Sequence, residues 1–302
     1  MNTGRSDDRG RIAGLELGGT KAIVLLWQDG VIVDECRVPT RSPDVVFADI
    51  LPLMQRWWDD GPFDAVGIGS FGPVAVDPAS QRYGHILTTP KPGWGGAAVL
   101  PALRDAFACP IAIDTDVNAA AMAEYRWGAG QGATSLLYLT IGTGLGGGAL
   151  VNGMPIHGRL HPEMGHMPLR RQPGDEFAGA CPFHADCAEG LLSGPALAAR
   201  FGAPADAVAA GDPRWDVPVA DLAQLLVTLI HGFAPNRILV GGGVGMGAGA
   251  MLDRARDRLP ALLGGYYPDL DDRALAQMIS QPALGERAGP LGAIAVGLST
   301  LI

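Results

Sequence analysis

Between Cys181 and Cys187 the chain reads CPFHADC, two cysteines and a histidine spaced C-x2-H-x2-C. Such a cluster can ligate a metal, close a disulfide or exchange electrons. A second constellation is Asp114, Asp116 and Asn118, in IAIDTDVNAAAMAEYRWG. Strand alternation places Asp114 and Asp116 on one side, with a helix expected from Asn118 through Trp127. A carboxylate at a strand's carboxyl end can reach a cleft. Phosphoryl transfer to an alcohol needs a carboxylate to accept the hydroxyl proton and Mg2+ to offset phosphate charge. Asp116 fits the base, and Asn118 can donate and accept at once, as sugar hydroxyls require. Capping of the helix is the competing role for either residue. A third group is glycine-rich: Gly18-Gly19-Thr20-Lys21, Gly142-Thr143-Gly144 and Gly241-Gly242-Gly243. Glycine lets backbone N–H groups approach phosphate oxygens unobstructed. Tight hairpins alone are the plainer alternative.

The elements around these groups narrow the choices. IAGLELGGTKAIVLLW (12–27) reads as strand, tight turn, strand, and VIVDECRV (31–38) as a third strand after the Asp29-Gly30 turn. Val45, Val46, Ile50, Leu51, Leu53 and Met54 recur at helical spacing. FDAVGIGSFGPV (63–74) and IAID (111–114) are buried strands. SLLYLTIGTGLGGGALVNG (135–153) repeats the strand–turn–strand of the amino terminus, which predicts a duplicated α/β architecture. Gly142-x-Gly144-x-x-Gly147 matches the dinucleotide spacing, but a strand and turn follow where that motif needs a helix. No Gly-Lys-Ser/Thr occurs, so a Walker A loop is absent. Helices are expected at 222–233 and in AGPLGAIAVGLSTLI at the end, with ILVGGGV (238–244) a strand running into glycines. The expected boundary separates a small domain, 1–115, from a large one, 116–287, with the 288–302 helix returning to the first.

Composition excludes some classes. The 302 residues carry 48% hydrophobic and 18% charged residues, enough for real cores. A net charge of −9 argues against a nucleic-acid surface. MNTGRSDDRG lacks an apolar signal core, and no stretch approaches the ~20 apolar residues of a span. A cytoplasmic protein without membrane partner is the expectation. Cys36 and Cys109 stand alone in apolar segments as small core residues. Only Lys21 and Lys91 represent lysine, one beside a Gly-Gly-Thr turn and one beside Pro-Gly-Trp.

These motifs together resemble the ROK family of sugar kinases from about residue 12 to the end. The matching stretches are E-x-G-G-T-K at Glu16–Lys21, GSFGP at 69–73, YGHILTTPKPGW at 83–94, DTDVNAAAMAE at 114–124, HPEMGH at 161–166 and CPFHADCAEGLLSGPAL at 181–197. Glu16 and TTPKPGW look like the fructokinase branch. The resemblance implies a two-lobed, actin-like (ribonuclease H-like) α/β fold with the active site in the interdomain cleft. It implies an ATP-dependent fructokinase making fructose 6-phosphate, with Mg2+ and a homodimeric state. Gly18, Gly19, Thr20 and Lys21 would line the ATP phosphates from one lobe and Thr143 and Gly144 from the other. Gly241, Gly242 and Gly243 would lie along the nucleotide. Asp116 would be the general base, and Asn118, Glu163, His166, Glu189 and Gly69 would hold the sugar. The alternatives are a kinase for mannose, glucose or an N-acetylhexosamine, or a sugar-sensing regulator. About eleven residues before the first strand are too few for a helix-turn-helix module.

The cysteine cluster takes its place against that background. A disulfide fits a reducing cytosol poorly, and a redox pair needs C-x-x-C. Zinc favours four Cys and His ligands. Cys181, His184 and Cys187 supply three, and His166, fifteen residues upstream, is the candidate fourth. The family's common pattern is C-x-C-G-x-x-G-C, so His184 stands where a cysteine is usual; imidazole suits zinc equally. A closed four-ligand site would be structural and would steady Glu163 and Glu189, which flank it in sequence. His157 and His161 are expected to be surface or packing residues.

Overall fold

The computed structural model describes residues 8–247 and 251–301. Contacts divide the chain into two compact units, Met1–Gln131 with Met154–His161 and Leu284–Ile302, and Gly132–Gly153 with Pro162–Ala283. The first run forms β1 (Arg11–Leu17), β2 (Lys21–Gln28), β3 (Val31–Pro39), α1 (Pro43–Asp60), β4 (Ala65–Ser70), α2 (Val99–Ala106), β5 (Ile111–Thr115) and α3 (Asp116–Trp127). Then come β6 (Ser135–Ile141), β7 (Leu145–Val151) and the two-residue β8 (Met154–Pro155). The second unit continues with α4 (Ala188–Leu192), α5 (Gly194–Phe201), α6 (Asp216–Phe233), β9 (Arg237–Gly241), α7 (Gly242–Gly247), α8 (Met251–Arg256), α9 (Leu259–Leu263), α10 (Asp272–Met278) and β10 (Ile279–Ser280). The closing helix is α11 (Ala288–Leu298).

In the first unit the sheet order is β3-β2-β1-β4-β5. The β1–β2 and β2–β3 pairs are antiparallel, while β4 and β5 run parallel to β1. Strand β2 reads as a continuous apolar run because both its faces are covered. Ala22, Val24 and Leu26 join the core with Val46, Ile50 and Met54 of α1. Ile23, Leu25 and Trp27 join Ile294 and Leu298 of α11 on the other side. The buried residues of α1 recur at three- and four-residue steps, the stripe of a helix lying on a sheet.

In the second unit β6 and β7 form an antiparallel hairpin, and β9 pairs parallel with β6. Each sheet therefore holds a hairpin whose first strand has a parallel neighbour, the repetition expected from the two Gly/Thr turns. The division of contacts differs from the expected boundary near 115. Helix α3 packs on α11 and β4, so the first unit keeps the chain through Gln131. Helix α6 begins at Asp216, six residues before the expected start. Contrary to the expectation from composition, Pro213–Phe233 reaches the length and mean hydropathy, 1.2, of a spanning helix. Its apolar window is 56% buried, as in the core helix of a globular domain. Between β8 and α4 the regular structure is one 3-10 turn, Met164–His166, and the isolated bridges Pro168–Cys187 and Cys181–Ala185.

Candidate active site and metal centre

The turn after β1 exposes Gly19, Thr20 and Lys21. Its carbonyls are all engaged. Thr40 donates its hydroxyl to the Gly18 oxygen at 2.7 Å and its amide to the Thr20 oxygen at 2.9 Å. Lys91 donates its ammonium to the Gly19 oxygen and lies 5.9 Å from the Phe71 ring. Both lysines of the chain thus meet at this turn. Among the described residues none accepts from the Gly19 or Thr20 amides. A turn with occupied carbonyls and available amides suits an anion. Two residues before the turn, burial pushes the Glu16 carboxyl up to about 7, with the Lys21 ammonium pulling it the other way.

Strand β5 ends at Thr115, and Asp116 is the first residue of α3, not a further strand position. The expected alternation of Asp114 and Asp116 therefore fails, because the backbone turns helical between them. Thr115 is the cap, its hydroxyl accepting from the Asn118 amide at 3.1 Å. Neither Asp116 nor Asn118 is needed for that role. The half-buried Asp116 carboxylate accepts from the Val117 amide at 2.9 Å. Asp114 is buried and binds three donors: the Thr115 amide at 2.7 Å, Asn118 Nδ2 at 2.7 Å and His157 Nε2 at 2.9 Å. The Asp114 hydrogen bond raises the His157 imidazole. His161 is also buried, its Nε2 accepting from the Val74 amide at 3.3 Å. Both residues thus keep to the expected surface or packing roles, each hydrogen-bonded within the fold. Gly69, on β4, admits α3: a Cβ there would lie 2.9 Å from the Ala119 Cβ.

In the second unit, Thr143 and Gly144 form the β6–β7 turn, where the Gly142 amide donates to the Gly144 oxygen at 2.9 Å. Glu189, on α4, accepts from the Leu145 amide at 3.0 Å. Its carboxylate would be 2.8 Å from a Cβ at Gly144, so Glu189 sits on the turn itself. Burial, and then the Glu189 charge, push Glu163 up to about 7. Gly241 ends β9 and Gly242 opens α7 with φ +85°. A Cβ at Gly242 would meet the Ile141 backbone at 2.5 Å, which excludes side chains there. A Cβ on Gly142 would lie 3.9 Å from the Gly243 amide nitrogen, so the second turn and the third glycine group are neighbours.

His166, Cys181, His184 and Cys187 converge, with their ligand atoms all within 4.8 Å of one another. His166 Nδ1 is 3.7 Å from Cys181 Sγ and 3.6 Å from Cys187 Sγ, and His184 Nδ1 is 4.0 Å from Cys181 Sγ. A tetrahedron with metal–sulfur bonds of ~2.3 Å and metal–nitrogen bonds of ~2.0 Å has S···N edges of about 3.6 Å. The cluster fits that size. Both thiols are buried, and burial pushes Cys187 up to about 11; a divalent cation reverses that preference. The loop before the cysteines is tied by charge: Arg200 forms a bidentate pair with Asp175, at 2.7 and 3.1 Å, and Arg171 joins it at 2.7 Å.

The family profile described as "ROK family" matches residues 12–299. A fructokinase of Zymomonas mobilis is 39% identical over 292 residues, covering 94% of this chain and 95% of its own. A fructokinase of Pediococcus pentosaceus is 37% identical over 293 residues, covering 96% and 98%. The crystal structure of a ROK hexokinase from Thermus thermophilus matches with a TM-score of 0.78 at 28% identity, covering 96% of this chain and 99% of that one.

Proposed function

The chain belongs to the ROK family, and on that premise we propose that it is an ATP-dependent fructokinase that converts D-fructose to fructose 6-phosphate. The observation that carries the mechanism is the start of α3: Thr115 caps the helix, which relieves Asp116 of that task. Asp116 accepts the proton of the sugar's 6-hydroxyl as that oxygen attacks the γ-phosphorus, and ADP departs. Mg2+ bound with ATP offsets the phosphate charge.

Gly18, Gly19, Thr20 and Lys21 receive the ATP phosphates in this reading, supported by the engaged carbonyls of that turn. Thr143 and Gly144 contribute from the second hairpin, with Gly241–Gly243 along the nucleotide. Asn118, Glu163, His166, Glu189 and Gly69 hold the sugar. His166, Cys181, His184 and Cys187 hold a zinc ion, supported by their spacing and by the two buried thiols. A closed set of four ligands supplies order and no open position for chemistry. The enzyme works as a cytoplasmic homodimer, where ATP is available and thiols stay reduced.

A coupled ADP-release assay over fructose, mannose, glucose and N-acetylhexosamines tests this reading, with the product identified by NMR. The expected result is the highest kcat/KM for fructose and phosphate on carbon 6. A higher value for another hexose, or phosphate on a different carbon, overturns it.

A further inference from the structure

In the turn after β1, the Gly19 and Thr20 amides find no acceptor among the described residues. Each shares a peptide group with a carbonyl that is bound. Both peptides are trans, and a trans peptide is planar with its C=O and N–H pointing to opposite sides. The Thr40 hydroxyl on the Gly18 oxygen therefore also aims the Gly19 N–H away from itself. The Lys91 ammonium on the Gly19 oxygen does the same for the Thr20 N–H. A donor on the carbonyl polarises the peptide and strengthens the bond its N–H can make. A Cβ at Gly19 would find nothing within 4 Å, so hydrogen bonds rather than packing hold this peptide. Lys91 reaches the turn from 72 positions away. Its loop is fixed by the buried Trp94, whose ring lies 5.2 Å from Phe71 and whose Nε1 donates to the Arg41 oxygen at 2.7 Å. Arg41 directly follows Thr40, so the two residues that hold the turn share one frame.

We propose that Lys91 is a positioning residue for ATP: its ammonium, bound to the Gly19 carbonyl, aims the Thr20 N–H at a nucleotide phosphate. This deepens the kinase reading and rests on the β1–β2 turn receiving the phosphates. The charge of Lys91 acts in the same sense, drawing an anion to the turn beside Lys21. The Phe71 ring, 5.9 Å from the ammonium, helps to keep it there. The chain's second lysine thereby gains a task that its place beside Pro-Gly-Trp did not reveal.

The test compares Lys91→Met and Lys91→Arg, with Thr40→Val as a reference, in the full-length protein and with whichever hexose the wild type phosphorylates best. Methionine keeps an apolar stem and removes donor and charge, whereas arginine restores a charged donor. The expected result for Lys91→Met is a KM for ATP raised about tenfold to a hundredfold, with the hexose KM within about twofold and kcat within about fivefold. The Kd for ADP, taken by calorimetry without sugar, should rise in parallel, and Lys91→Arg should recover most of the loss. An unchanged ATP KM in Lys91→Met, an equal rise for the hexose, or no recovery in Lys91→Arg overturns the proposal. So does a kcat lowered about tenfold or more at a near-normal ATP KM, which would place the ammonium on the transferred phosphoryl group instead of the turn. Thr40→Val separates two failures. A raised ATP KM there, with a normal one in Lys91→Met, removes Lys91 and leaves the turn as the phosphate site. Normal values in both variants remove the turn as well.

Discussion

The two units hold their polar groups by different means. In the first, Asp114, Asp116, Asn118 and the Gly18–Lys21 turn sit at the ends of strands and at a capped helix start. Hydrogen bonds inherited from sheet and helix fix them. In the second, Glu163, His166 and the cysteines lie in a run, 162–187, whose regular structure is one 3-10 turn and two isolated bridges. Four convergent Cys and His side chains and the Asp175–Arg200 pair hold the chain there in place of secondary structure. The two glycine turns repeat the contrast. The first has its carbonyls bound by donors, including a lysine, while the Gly19 and Thr20 amides find no acceptor among the described residues. The second has an amide bound by a carboxylate, Glu189. The shared strand–turn–strand is therefore engaged differently in the two units: donors hold carbonyls of the first turn, and a carboxylate holds an amide of the second. Damage at Asp116 should cost chemistry, and damage at the Cys/His cluster should cost order.

Each side of that contrast can be broken separately. The largest effect is expected at Asp116, where asparagine keeps the shape and removes the proton acceptor. Turnover should fall about 10²–10⁴-fold with an unchanged melting temperature. Next comes Cys181→Ser, which should lower metal content from about one zinc per chain, seen by elemental analysis, and lower the melting temperature with it. A metal-free wild type of undiminished stability would remove the metal from the account. The smallest effect is at Glu16. Burial raises its carboxyl from 4.5 to about 7, so over that window the folded chain keeps a proton that the unfolded chain releases. Its contribution is fully present below about pH 4.5 and is lost as pH rises through about 7. Glu16→Gln should match the wild type near pH 4.5 and exceed it by about 1–3 kcal/mol near pH 8, read from denaturant unfolding at both values.

Much of the first unit was legible in sequence because its chemistry sits on regular elements. The Gly-Gly-Thr turn between two apolar strands, and the carboxylates after IAID, are local patterns with local consequences. The convergence of the Cys/His cluster was legible too, since C-x2-H-x2-C brings three of its members within seven residues and leaves only a fourth to find. What sequence could not reveal were contacts made by chain reversal. His157 reaches Asp114 because eight residues return to the first unit, an event with no periodic trace. Glu189 meets the Leu145 amide across more than forty positions. The turn from strand to helix at Asp116 was misjudged by two residues, because Thr115 was not read as the cap. A threonine directly before an aspartate at the start of an apolar, alanine-rich run is a capping signal that could have been used.

The most direct measurement is turnover and fructose binding of Asp116→Asn, taken on one metal-loaded preparation. The account predicts kcat lowered at least about a hundredfold while fructose still binds with a Kd near that of the wild type. A kcat close to wild type would contradict it, because the proton would then be leaving by a route that does not pass through Asp116.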